Sequence, residues 1–253
     1  MSERLQLPGV TLCAATSVNL DATLAALVRC IAVANFGAVI LFTDCEVAVP
    51  SAIRRVVIPP LRSSEDYSLF MLTRLAGHIA TSHALVVQWD GFITDAAAWR
   101  EEFLDFDYIG APWPQFDDGF DVGNGGFSLR SKRLLETCRT AGFVAHCPED
   151  VAICRTNRAL LEADGIRFAD AASAARFAFE RIAPDGPTFG FHGAFNLMPV
   201  IGPDAFWETY RSLDHRGSLF TDFGLLLRQL GQGSNAFSRR GQLTIDRLAA
   251  MLD

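Results

Sequence analysis

Short runs that stay apolar at consecutive positions constrain this chain most: "GVTLCAAT" (9–16), "AVILFTD" (38–44) and "HALVV" (83–87). A strand wetted on one side alternates apolar and polar residues, so unbroken runs of this length describe strands covered on both faces. After the first run, Leu20, Leu24, Leu27, Val28 and Ile31 recur at helical spacing. A short third strand follows in "RRVVIPPL", ended by Pro59-Pro60, and Leu69, Leu72, Leu75, Ala76 and Ile79 mark an amphipathic helix before the run at 83. Strand and helix alternate, which predicts an α/β fold: a Rossmann-like, mostly parallel central sheet flanked by helices.

A chain of 253 residues, 50% hydrophobic and 20% charged, can bury a large core. One domain over 1–253 is expected, with a core at about 9–200 and a helical C-terminal portion at about 203–253 that forms a small subdomain or an oligomer contact. The net charge of −7 excludes a grip on nucleic acid through its phosphates, which requires clustered Lys and Arg. Six scattered cysteines, without a CxxC pair, fit small buried residues in a reducing compartment. No signal-peptide pattern opens the sequence. The run "ALVRCIAVANFGAVILF" is broken by Arg29, Asn35 and Gly37, so it divides into a helix end, a turn and a strand, not a transmembrane segment. A cytoplasmic protein is expected.

In parallel sheets, ligands sit beyond the carboxyl ends of the strands. This rule brings together Thr16-Ser17, Thr43-Asp44 and Gln88-Trp89-Asp90, with Asp90 on the rim of a ligand crevice. A lone Asp after a strand is often a turn-former, and its place at the crevice favours a ligand or metal role. One carboxylate holds a divalent cation poorly, so a second ligand is needed. His192 in "TFGFHGAFN" is the best of five histidines, although a hydrogen-bonded core histidine fits that residue alone equally well.

"DVGNGGFSLRS" (121–131) contains Asn124-Gly125, a hairpin-turn signal. Its three glycines would also let a backbone approach a sugar or phosphate closely. After Asp90, Thr94 or Asp95 caps a helix in "AAAWREEFL", and 147–165 forms another helix that ends at Gly165. Glu149 and Asp150 in "PEDV" suit the helix dipole, and the same placement keeps a carboxylate ionised as a general base requires. Trp89, Trp113 and Phe116 lie in or beside crevice loops, where flat faces could stack on a sugar or base.

The ordered set "ATS", "VVQWDGF", "DYIGAPW", "VGNGGFSLRS", "PEDV" and "FGFHG" resembles an uncharacterised bacterial family of glycosyltransferase-like domains related to GT-A type nucleotide-sugar transferases. The resemblance spans about residues 9–200. It implies that Thr16, Ser17 and Asp44 line a nucleotide pocket, and that Asp90 is the last acid of an Asp-x-Asp motif. It further implies that His192 completes a Mn²⁺ or Mg²⁺ site, that Asn124, Gly125 and Gly126 form the sugar-side loop, and that Asp150 or Glu149 is the base. Gln88 stands where the first acid belongs and offers a carbonyl oxygen without charge. The reaction implied is transfer from a nucleotide-sugar donor, UDP-linked, to a glycan or other hydroxyl acceptor with inversion. Arg130 and Lys132, read in the first turn of a helix that starts near Ser131, either assist at the phosphates or are merely solvated. Two alternatives share the fold: a non-catalytic nucleotide- or glycan-binding domain, and a transferase independent of metal.

Overall fold

A computed structural model describes residues 4–232 and 235–251. The main sheet has six strands: β1 (Leu5–Ala15), β2 (Ala34–Thr43), β3 (Arg54–Val57), β4 (His83–Val87), β5 (Tyr108–Ile109) and β6 (Phe127–Ser131). Their order is β3-β2-β1-β4-β6-β5. The β3-β2, β2-β1 and β1-β4 pairs are parallel, while β6 runs antiparallel to both β4 and β5. The expected mixed α/β architecture with a mostly parallel sheet is present.

Alternate residues of each central strand face opposite sides, and both sides are covered. Val10, Leu12 and Ala14 of β1 join Leu85 and Val87 of β4 in one cluster; Cys13 and Ala15 join Ala84 and Val86 in the other. This two-sided burial is why the runs are unbroken, and each fully buried Leu or Val contributes about 1.5–3 kcal/mol. Helix α1 (Leu20–Val33) covers the first face. The second lies under α2 (Ser64–Thr73) and Leu135 of α3 (Lys132–Thr137).

Beyond these come α4 (Glu149–Val151), α5 (Arg158–Ala163), α6 (Ala171–Phe177) and a two-stranded parallel sheet of β7 (Ala178–Phe179) and β8 (Gly190–Phe191). Four more helices follow: α7 (Ala194–Ile201), α8 (Pro203–Ser212), α9 (Phe223–Leu230) and α10 (Ala236–Ala250). Leu226, Leu230 and Leu243 of these helices belong to the same cluster as α1. All six cysteines are free, and burial pushes the thiols of Cys13, Cys30 and Cys138 up to about 12. Among the described residues no helix is long and apolar enough to cross a membrane.

Several local expectations are corrected. Helix α1 passes directly into β2 at Ala34, without a turn. Gly37 accounts for how closely β2 then passes β1: a Cβ there would sit 2.2 Å from the Pro8 carbonyl oxygen. The amphipathic helix ends at Thr73 and gives way to a 3₁₀ turn at Leu75–His78, which leaves Leu69 56% exposed. Asp95 does cap, accepting the Ala97 N–H at 2.9 Å, but it caps the first of two 3₁₀ turns, Ala96–Ala98 and Glu101–Asp105, not an α-helix. Asn124 has a positive φ of 68° and Gly125 does not, so the paired positive φ values of a type I′ turn are not formed. The helix expected over 147–165 is interrupted by a π-helical stretch at Ala152–Thr156. Arg130, expected in a helix's first turn, lies in β6 with no solvent exposure.

Candidate functional site

Strand direction assembles the site. Because β6 is antiparallel to β4, with Val87 opposite Phe127, the loop entering β6 meets the residues leaving β4 at one sheet edge. Asn124, Gly125 and Gly126 thereby reach Gln88 and Asp90. In the small sheet Phe179 pairs with Phe191, so the next residues, Glu180 and His192, emerge side by side. A bridge between Ile93 and Gly190 fixes that sheet beside the segment following Asp90.

His192 is the hub. Its Nε2 lies 3.3 Å from Gln88 Oε1 and 3.4 Å from Asp90 Oδ1, and its Nδ1 lies 3.3 Å from Glu180 Oε1. Burial opposes a charged ring, but the Asp90 charge, followed by hydrogen bonding and the Glu180 charge, outweighs it and raises the imidazole to about 10. Asp90 is not on a rim: it is 7% exposed, and its buried Oδ1 faces the His192 ring at 3.4 Å.

Across the glycine loop stands α4. Asp150 Oδ2 accepts the Gly125 N–H at 3.0 Å, and its Oδ1 accepts the Val151 N–H at 2.8 Å. Burial and then the Glu149 charge raise the Asp150 carboxyl. The local effect is thus opposite to the dipole argument, which would hold the acid low. Glu149 is occupied otherwise, accepting from Arg130 Nη2 at 2.9 Å. The same nitrogen donates to the Gly125 carbonyl at 3.1 Å, while Arg130 Nε donates to Ser128 Oγ at 3.0 Å.

The glycines serve close approach, but to the protein's own side chains. A Cβ on Gly126 would lie 2.0 Å from His192 Nε2, and one on Gly125 would lie 2.2 Å from Glu149 Oε1.

Gln88, the Asn124–Gly126 loop, Glu149, Asp150, Glu180 and His192 line a hollow of about 370 Å³ at the carboxyl edge of β4, within the usual range for small-ligand sites. Larger hollows of about 830, 800, 430 and 390 Å³ lie elsewhere; among the described residues their walls carry a single buried polar side-chain atom without a partner, Gln229 Oε1 in the smallest of the four. Here Tyr67 Oη and Asn124 Nδ2 on the wall make no hydrogen bond, nor does Arg130 Nη1 just behind it, while Asp90 Oδ1 has its nearest partner in the His192 ring, 3.4 Å away. A buried polar group left unmatched costs about 1–3 kcal/mol, so their convergence marks a place for a polar ligand.

Other sequence candidates fall outside. Thr16, Ser17 and Asp44 sit at the carboxyl edge of β1 and β2 but do not line the hollow, and Ser17 Oγ accepts the Leu61 N–H at 2.8 Å. Trp89 packs against the main core. Trp113 does line the hollow, although Gly123 and the ring of Phe116 pack against it. Phe116 lies against the Arg155 guanidinium, 3.8 Å from its ring centroid, and Lys132 pairs with Glu136 on the surface. Sequence reasoning missed Glu180 and Tyr67. Glu180 follows a strand of two residues, too short to signal itself, and Tyr67 lies in the polar first turns of α2.

A divalent cation could meet three protein donors here, fewer than the roughly six ligands it takes, and only once the imidazole, charged beside Asp90 and Glu180, gives up the proton on Nε2. Gln88 Oε1 and Asp90 Oδ1 lie 3.3 and 3.4 Å from His192 Nε2, close to the ~3 Å between neighbouring ligands around an octahedral cation with ~2.1 Å bonds. Glu180 behind Nδ1 orients the ring. Among the described residues no three His, Cys, Asp or Glu side chains gather as a metal set; the third donor is the Gln88 amide.

The fold and site define an α/β protein with one polar, ligand-sized hollow at the carboxyl edge of a mostly parallel sheet. Residues 51–192, more than half the chain, match the model of a family described as "Protein of unknown function (DUF5672)", and the chain belongs to that family. The matched segment includes every hollow residue named above. No curated protein matches the sequence. Among solved structures, the chain is similar to the mannosyltransferase PcManGT from Pyrobaculum calidifontis in complex with GDP-Man and Mn2+, at 12% identity and a TM-score of 0.47, over 99% of this chain and 84% of that one.

Proposed function

We propose that this protein is a glycosyltransferase that moves a sugar from a nucleotide-sugar donor to a hydroxyl acceptor. One observation carries the reading: unmatched buried polar atoms, a raised carboxyl at Asp150 and the Gln88–Asp90–His192 donor set converge on one hollow. A nucleoside diphosphate needs its charge offset on one side of the anomeric carbon, and the acceptor needs a base on the other. The two groups of residues flank the glycine loop in that sense.

In the proposed reaction Asp150 takes the acceptor hydroxyl proton. The acceptor oxygen then bonds to the anomeric carbon, and the bond from that carbon to the diphosphate breaks. Attack from the face opposite the leaving group inverts the centre, and one base suffices. Its raised pKa makes Asp150 a stronger base than an ordinary carboxylate. Glu149, neutralised by Arg130, positions α4. A divalent cation held by Gln88, Asp90 and His192 would supply Lewis-acid stabilisation of the leaving diphosphate. A uridine nucleotide follows from the sequence resemblance.

Gln88 in place of an acid favours a second reading, a domain that binds the nucleotide without turning it over. The first test is a thermal-shift series with UDP, GDP, CMP and TDP, each with and without Mn²⁺, because a ligand of the folded state alone must raise the Tm. The transferase reading expects one nucleotide to shift the Tm further with Mn²⁺, and the matching nucleotide sugar to release nucleoside diphosphate when an acceptor is added. Binding without release across an acceptor panel establishes the second reading. No shift with any nucleotide sinks both.

A further inference from the structure

Helix α10 has two apolar faces. Its inner face carries Leu243, fully buried in the main core; beside it, Arg239 reaches Asp204 at 2.6 Å and Asp246 accepts the Tyr210 hydroxyl at 2.5 Å. Its outer face carries Phe237, Ile245 and Leu248, with Met251 just beyond the last turn, exposed by 95, 61, 57 and 72% respectively. Positions 237, 241, 245 and 248 follow one line along a 3.6-residue spiral, and Gly241 fills the gap in it. Four large apolar side chains in one stripe are more than scattered exposure on a soluble surface explains.

Charge selects what covers them. From Phe223 to Met251 the sequence holds four arginines and one acid, in a chain of net charge −7. That acid, Asp246, is engaged on the inner side. Arg240 and Arg247 run along one side of the stripe, neither of them ion-paired with a described residue; Arg240 Nη1 lies beside Gly231, and the Arg247 guanidinium leans over Phe223 at 4.3 Å. A second copy fits poorly, because antiparallel pairing of two stripes about their middle sets Arg240 of one against Arg247 of the other, with no exposed acid on the helix to offset them.

We propose that α10 docks this protein onto an anionic lipid bilayer. The helix, 15 residues or about 22 Å long, lies in the plane of the surface. Phe237, Ile245, Leu248 and Met251 enter the boundary between headgroups and acyl chains, and Arg240 and Arg247 meet lipid phosphates. Neither the hollow nor its chemistry enters this argument.

The test is co-sedimentation of the full chain with vesicles of phosphatidylcholine alone and of phosphatidylcholine with 30% phosphatidylglycerol, at low and high salt. Binding to the anionic vesicles is expected, weakened by salt. Arg240→Gln and Arg247→Gln should each lower the partition coefficient about fivefold. Phe237→Ser combined with Leu248→Ser should abolish binding with the Tm unchanged, since both side chains are exposed. No sedimentation with anionic vesicles overturns the proposal, as does binding that survives the double substitution. A wild-type dimer by light scattering that the double substitution dissociates overturns it too, by giving the stripe to a second copy.

Discussion

Asp150 is held where its two roles conflict. It fixes the glycine loop through the Gly125 N–H, and burial together with Glu149 favours its neutral form. A carboxyl raised in the folded state stabilises the protein fully below its unfolded value, and that contribution is lost as pH rises through the folded value. Above that value the ionised Asp150 is therefore a liability for stability, while the ionised form is the one a base requires. Asp150→Asn keeps one oxygen to accept from Gly125, sets an amide NH2 in place of the oxygen that accepts the Val151 N–H, and removes the charge. We predict that it abolishes turnover, and that its Tm relative to the wild type rises with pH, because the wild type alone carries the cost of an ionised carboxylate there. In the wild type the acid limb of kcat should lie above the ordinary carboxylate range. A variant that stays active would remove Asp150 from the role of base, and a Tm difference from the wild type that does not change with pH would mean that its carboxyl is not raised. At this scale much of the site was legible in the sequence. Gln88, Asp90, Asn124, Gly125, Gly126, Glu149, Asp150 and His192 do meet, because polar residues interrupting apolar runs mark strand ends. Thr16, Ser17 and Asp44 were drawn in by the same rule and lie outside the hollow, since strand ends share an edge without sharing a cavity.

Among the elements, β6 decides the most, and its sequence disguises it. "FSLRS" reads as the approach to a helix, and Arg130 as a solvated base at that helix's start. The structure buries Arg130 in the strand, where it joins Glu149 of α4 to the Gly125 carbonyl. Only the antiparallel pairing with β4, a long-range contact without a local signature, shows why a charge is tolerated there. Helix limits were blurred for a related reason: burial and loop closure, not propensity, stop α2 at Thr73 and insert a π turn after α4. The buried pair gives an element-scale prediction. Glu149→Gln leaves the Arg130 charge uncompensated and should cost about 3–5 kcal/mol, whereas Arg130→Met with Glu149→Leu should recover most of that loss. Chemical denaturation of the three proteins decides it. If Glu149→Gln is as stable as the wild type, Arg130 does not need its partner and the loop is held by backbone contacts alone.

For the whole molecule, the alternation of buried strands and helices gave the architecture, but whether the C-terminal helices form a separate body was open in the sequence. The packing favours one unit. A single apolar cluster runs from Leu7 of β1 through Leu27 of α1 to Tyr210, Leu226 and Leu243 of α8, α9 and α10. Asn19, at the start of α1, adds a polar clasp: its N–H donates to Asp214 Oδ1 at 2.5 Å, its Nδ2 to the His215 carbonyl at 2.8 Å, and its Oδ1 accepts the His215 N–H at 2.9 Å. Chains of this length often unfold in stages, so cooperativity requires that removing either part exposes the core of the other. We therefore predict one calorimetric transition, with calorimetric and van't Hoff enthalpies equal at ~180 kcal/mol near 60 °C. Asn19→Ala should lower the Tm by several degrees, for a cost of about 2 kcal/mol, without splitting the peak. Removing residues 203–253 should leave a chain that does not fold, because the face of α1 would lose its cover. Two transitions in the wild type, or a second peak released by Asn19→Ala, would instead make the C-terminal helices a domain that folds by itself, with the clasp as its hinge.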